Sequence, residues 1–141
     1  MANMRRLLLH RARPSGIEMR RRQETDLIEL HTQDSTDLIT HVALVGTFDM
    51  TSVEQIKTEL MAATVERGLN TIVDLSQLSF IASMGMEILV TVYKGLKRNG
   101  AKIVLLNPHH DVESVIRTAR LQDILPIAHS EEEAQRFFAA S

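Results

Sequence analysis

Ser83-Met-Gly85 is the nearest approach in this chain to a reactive serine. A nucleophile elbow places glycine two residues before and two residues after its serine, because the backbone turns sharply on both sides. Gly85 supplies the second position, but Ile81 stands at the first, which disfavours a serine hydrolase. The absence of cysteine removes thiol nucleophiles, thiolate zinc sites and disulfides together. The six histidines (His10, His31, His41, His109, His110 and His129) include no pair at the helical spacing that puts two imidazoles on one metal. His109-His110 reads as a polar loop after Pro108. No GxGxxG or GxxxxGKS/T phosphate loop occurs, and the glycines from Gly46 to Gly100 fall at expected turns, caps or close contacts. The expectation is therefore no catalytic residue, no metal site and no cofactor.

The elements that must hold Ser83 follow from apolar spacing. Leu27-Ile-Glu-Leu-His-Thr32 alternates apolar with polar, as a strand with one buried face does. Residues 33–37 carry turn chemistry, and residues 38–45 read as a more buried antiparallel partner. Thr51 and Glu54 form a capping box that predicts a helix start, with Val53, Ile56, Leu60 and Ala63 on one face and Gly68 at the end. Asn70-Thr-Ile-Val-Asp-Leu75 is β-branched and apolar, the pattern of a central strand covered on both faces. Residues 76–80 read as a link. From Ser83 onward, Gly85, Leu89, Val92 and Leu96 make a buried stripe, Glu87, Thr91, Lys94 and Arg98 lie outside it, and Asn99-Gly100 stops the helix.

Residues 101–106 suit a further strand, and Val112, Val115, Ile116 and Ala119 outline a third helix. Residues 125–128 suit a short edge strand, and Ser130 begins the capped start of a last helix. The expected class is α/β: a mixed sheet of about five strands with amphipathic helices, strand and helix alternating after an N-terminal hairpin.

A length of 141 residues, 44% hydrophobic, suffices for one domain with its own core. Residues 1–25 carry seven arginines against Glu18 and Glu24, whereas residues 26–141 carry nine basic and sixteen acidic groups. The net −2 is thus a basic arm on an acidic domain. An acidic folded part argues against direct nucleic-acid binding, and an arm without aromatic residues reads as a disordered tail. Met19 offers an alternative start, which would make the arm an artefact of gene calling. Three leucines after the basic start are too few for a secretory signal, and no apolar run approaches the roughly 18 residues of a membrane span. A cytoplasmic protein is expected, with the arm at 1–25 and the domain at 26–141.

Residues 74–85 carry a recognisable pattern: Asp74-Leu-Ser76 closing a strand, then Phe80-Ile81, Ser83 and Gly85 at a helix start. This resembles the STAS domain, the module shared by sulfate transporters and anti-sigma factor antagonists. Ala82 and Met84 depart from it, standing where the family has aspartate and serine. Gly46-Thr-Phe-Asp49 is similar to the family's Gly-x-Leu-Asp before the first helix, and residues 100–105 to the strand after the second. Glu132-Glu-Ala134 suits the final helix, whereas Ala119-Arg120-Leu121 stands where the family has Thr-Gly-Leu. The likeness spans residues 26–141.

In the antagonists of this family, the serine matching Ser83 is phosphorylated by a partner that is both anti-sigma factor and serine kinase, and a serine phosphatase reverses it. Unphosphorylated antagonist occupies the anti-sigma factor and frees sigma. The resemblance thus implies a non-enzymatic regulator of transcription, with Ser83 as phosphoacceptor and Asp49, Ala82, Ser83, Met84, Gly85, Met86 and Glu87 facing the partner. The physics is compatible. A serine at a helix start is reachable while its hydroxyl can cap free amides, and phosphate there adds roughly −1.5 to −2 charges that the positive helix end accommodates. Within a docked interface the same group brings bulk and uncompensated charge; a loss of ~2.7 kcal/mol weakens binding about a hundredfold. Two other readings stay open: a STAS scaffold subunit of a transporter or stress-signalling complex, and a small ligand-binding protein or enzyme of similar architecture.

Overall fold

A computed structural model describes residues 5–8, 28–32, 38–48 and 53–139. Its elements in chain order are strands β1 (Arg5–Leu8), β2 (Ile28–Thr32) and β3 (Ile39–Phe48), helix α1 (Val53–Ala63), strand β4 (Asn70–Ile81), helix α2 (Ser83–Arg98), strand β5 (Ile103–Leu106), helix α3 (His110–Thr118), strand β6 (Ile127–Ala128) and helix α4 (Glu131–Ala139). The six strands form one sheet in the order β1-β2-β3-β4-β5-β6. β1 to β3 pair antiparallel, and β3 to β6 pair parallel. The sheet is mixed, as expected, and Ile28–Thr32 pair antiparallel with Val42–Gly46, with Leu30 opposite Leu44.

Alternation along the strands divides the core in two. Leu30, Leu44, Val73, Leu75, Ile103 and Leu105 point to the face packed by α1, α2 and α3, where Ile56, Leu60, Leu89, Val92 and Ile116 meet them. Ile72, Val104, Leu106 and Ala128 point to the opposite face, covered by Ala134, Phe137 and Phe138 of α4. Central β4 is therefore buried on both sides, which explains its unbroken buried run of β-branched residues from Thr71 to Val73. The last helix starts as its sequence implies: the Glu133 amide donates to Ser130 Oγ at 3.1 Å, and the His129 amide donates to Glu133 Oε1 at 2.8 Å.

Four expectations are corrected. Within the arm read as disordered, residues 5–8 form an edge strand, with Leu7 opposite Leu30; non-local pairing with β2 overrides the arginine-rich composition. Residues 76–80, read as a link, continue β4. Against β3 the register slips twice, so that Ala43 to Phe48 spans Asp74 to Ile81, and β4 carries two extra residues as bulges. The bulges bury Leu75, Leu78 and Ile81 at every third position, and this hides the strand from a search for alternation. Gly46 sits at one slip with φ 114, where a side chain would be strained. In α3, Val112 and Ile116 are buried, but Val115 and Ala119 face outward. His109 and His110 are not a loop: they are the N-cap and first residue of α3.

Candidate functional site

β4 outruns its neighbour. The register with β5 ends at Asp74 opposite Leu106, and the last seven residues of β4 pair only with β3, so that a ribbon flanked by β2 as far as Gly46 runs on past the end of β5. Side chains hold the ribbon in shape. Asp74 Oδ1 accepts from the Ser76 amide at 2.8 Å where β4 leaves β5, and Ser79 Oγ donates to the Gly46 carbonyl at 3.1 Å across the second bulge. The Ala82 amide then donates to the Phe48 carbonyl at 2.9 Å, tying the end of β4 to the end of β3.

α2 starts from that anchor. Its N-cap is Ala82, extended at φ −93 and ψ 171, and Ser83 is the first helical residue. The expectation that the Ser83 hydroxyl caps the helix is corrected: the cap makes no side-chain hydrogen bond, and the Ala82 carbonyl accepts from the Gly85 amide at 2.9 Å and the Met86 amide at 3.1 Å. Ser83 is exposed, and its hydroxyl has no hydrogen-bond partner among the described residues. No acidic residue occupies the first turn of α2, whereas the first turns of α1, α3 and α4 all contain one. The positive end of this helix therefore has no side-chain counter-charge of its own.

Around Ser83 the surface is apolar. Met84 is 37% exposed and Phe80 49%, two of the four exposed large hydrophobic residues among the described ones. Glu87 is exposed one turn further along, and Ala82 and Met86 are half-buried, with Met86 packed against the core. Gly85, expected to face a partner, is buried instead. A Cβ there would lie 2.9 Å from Phe48 Cγ and 3.1 Å from Ile81 Cγ1, so its role is to let α2 sit directly on the ends of β3 and β4. Asp49, and Thr51 of the capping box, lie outside the described residues. Phe80, read as the last residue of a link and as part of the family motif, is a surface residue that the sequence reading does not single out. The signal was the spacing of Leu75, Leu78 and Ile81, which leaves Phe80 on the other side of the strand.

Elsewhere, titratable groups form two pairs and one small cluster around Glu113. His31 Nε2 lies 3.0 Å from Glu29, His41 Nε2 3.4 Å from Glu131, and His129 Nε2 3.0 Å from Glu113 Oε1. Glu113 also accepts from Arg117 at 2.8 Å. The hydrogen bond from His129 first, and Arg117 with it, hold the Glu113 carboxyl below its ordinary value against the opposing effect of burial. No three His, Asp or Glu side chains among the described residues are placed to hold a metal ion. No helix among them is long and apolar enough to cross a membrane.

Comparison with known proteins bears on this geometry. A family model described as the STAS domain matches residues 28–134. A protein of Bordetella bronchiseptica named as an anti-sigma factor antagonist, BtrV, is 34% identical over 110 residues, 76% of this chain and 92% of that protein. The anti-sigma factor antagonist SpoIIAA in its unphosphorylated form matches with a TM-score of 0.65 at 24% identity, over 79% of this chain and 98% of that one. The Bacillus SpoIIAA structure in the phosphorylated form matches with 0.58 over 77% and 98%. The murine anion transporter Slc26a9 matches with 0.63 at 22% identity, over 73% of this chain but 18% of that one. At these identities the structural matches establish the fold, and the expected α/β architecture is the one they share.

Proposed function

The chain belongs to the STAS domain family, and we propose that it is an anti-sigma factor antagonist whose docking on an anti-sigma factor is switched off by phosphorylation of Ser83. The observation that carries this reading is the exposed, unengaged Ser83 hydroxyl on the first turn of α2, flanked by the exposed Phe80 and Met84. A hydroxyl with no hydrogen bond to break is open to a kinase. The two apolar side chains beside it supply the desolvated contact that makes a partner surface sensitive to one added charge. The relative named as an antagonist covers nearly its whole length with this chain, which supports the same role.

Phosphorylation here would leave the fold intact. The phosphate would join a helix end that has no acidic residue in its first turn, and Ala82 replaces the carboxylate that the family pattern puts beside the serine. The effect falls on docking, where a phosphate beside Phe80 and Met84 keeps its water and its charge. The reading requires a serine kinase, here the anti-sigma factor itself, and an opposing serine phosphatase, all cytoplasmic. Ser83, Met84 and Glu87 would meet the partner directly together with Phe80, Ala82 and Met86 would border it, and Asp49 is assigned to the same surface. No catalytic residue and no cofactor enter this account.

Intact-mass analysis of the protein purified from its native host, beside Ser83→Ala, tests the switch. One added phosphate in the wild type and none in the variant is the expected result. An unmodified wild type in growth and in stress would leave an unregulated scaffold subunit as the better account.

A further inference from the structure

Of the side chains assigned to the Ser83 surface, the thioethers of Met84 and Met86 are the ones a mild oxidant can change. Three of the seven methionines, Met61, Met84 and Met86, lie among the described residues, and their surroundings differ. Met61 and Met86 are half-buried and pack against the larger core. Met84 is 37% exposed and belongs to neither core. The family pattern has serine at this position, so the fold does not require a thioether there.

Oxidation would turn an apolar contact into an obstacle. A lone pair of the Met84 sulfur attacks one oxygen of hydrogen peroxide, the O–O bond breaks, the S–O bond of methionine sulfoxide forms, and the other oxygen departs as water. Sulfur loses two electrons and peroxide gains them, so each sulfoxide consumes one peroxide. The product is polar: its oxygen accepts hydrogen bonds, and an acceptor buried without a donor is costly. Met84 and Phe80 are the two large exposed apolar side chains beside Ser83, so the change falls on one of the two contacts that docking would desolvate. Because Met84 packs in neither core, the domain keeps its fold.

We propose that Met84 is a peroxide-sensitive modification site whose conversion to the sulfoxide weakens docking on the anti-sigma factor without any change at Ser83. The inference rests on the reading of this surface as the docking site and adds a second, chemically distinct control to it. Phosphate and sulfoxide both bring polarity to the same patch, but the sulfoxide is uncharged. The expected loss is therefore smaller, about tenfold against about a hundredfold for phosphate. It is also reversible, by reductases that each act on one epimer of the sulfoxide.

Graded hydrogen peroxide on the full chain, followed by peptide mass mapping and titration of the cognate anti-sigma factor, tests it. Met84 gains oxygen before Met61 and Met86, circular dichroism is unchanged at that dose, and affinity falls about tenfold. The two epimer-specific sulfoxide reductases together restore it. Met84→Leu, compared with itself before and after the same treatment, keeps its affinity. Oxidation of Met61 or Met86 ahead of Met84 overturns the inference. So does an affinity that falls equally in peroxide-treated Met84→Leu, which would place the effect at Met50 or at the methionines of residues 1–25. Untreated protein that fails to bind refutes the docking reading and this inference with it, whereas binding that is present and unmoved by sulfoxide at Met84 refutes this inference alone.

Discussion

Replacing Gly85 by alanine sets two effects of known sign against each other. Alanine is favoured over glycine within a helix by about 0.8–1 kcal/mol, and by less at the third residue of α2, where the helix has barely begun. Against this, the new methyl would stand 2.9 and 3.0 Å from two ring carbons of Phe48 and 3.1 Å from Ile81 Cγ1, closer than real Cβ contacts normally come. Neither neighbour can swing aside into solvent, since Phe48 is 0% and Ile81 2% exposed. Overpacking of a closed core costs about 1–3 kcal/mol, so the net result is a destabilisation of about 1–2 kcal/mol. The relief available is a shift of the helix start, which carries Ser83 and Met84 away from Phe80. Gly85→Ala should therefore lose urea stability by this amount and bind the partner more weakly than the stability loss explains, since binding is measured on folded protein. A variant as stable as the wild type or more so would refute the reasoning, because helix propensity would then outweigh a contact that is not tight.

Ala82→Asp places a carboxylate at an N-cap already in extended conformation, at the start of a helix with no acid in its first turn. Urea denaturation should show a gain of about 1 kcal/mol, and a loss would mean that the cap site cannot hold the side chain. Arg120→Gly relaxes a left-handed residue at φ 61 in an exposed position, and stability should rise by about 0.5–1 kcal/mol on the same assay; no gain would show the strain to be negligible. Glu113 has a lowered value in the fold, so its contribution to stability is present above its ordinary 4.5 and is lost as pH falls through the lowered folded value. Glu113→Gln should accordingly flatten the fall in melting temperature below about pH 4.5, and an unchanged acid limb would assign that fall to other carboxylates.

The parts of the fold that are legible in sequence are those governed by local chemistry. Asn99-Gly100 ends α2 and the left-handed Gly68 closes the turns that follow α1, five residues past the helix end at Ala63, while Ser130 with Glu133 opens α4 through hydrogen bonds within four residues. The stripe of Gly85, Leu89, Val92 and Leu96 is buried as its spacing requires. What escapes the sequence is set by partners far along the chain. β1 exists through its pairing with β2, and the second half of β4 through two bulges against β3 that break the two-residue period. The site shares this limit. Ser83 and Met84 can be placed on the exposed side of α2 from helical spacing alone. That Gly85 is a contact with Phe48, that Ala82 rather than Ser83 is the cap, and that Phe80 faces outward all depend on how the β3–β4 ribbon ends. The left-handed Arg120 is marked only by the resemblance, which has glycine at its position, because nothing in an arginine itself announces a positive φ.

The most direct test of the central claim is a titration of the cognate anti-sigma factor with this protein in two forms, unmodified and carrying phosphoserine at position 83. The account predicts tight binding of the unmodified form and binding weaker by about a hundredfold or more, ~2.7 kcal/mol, for the phosphorylated one, with both forms equally folded by circular dichroism. Equal affinities for the two forms would contradict it, and would leave the surface of Phe80, Ser83 and Met84 without the regulatory role assigned to it.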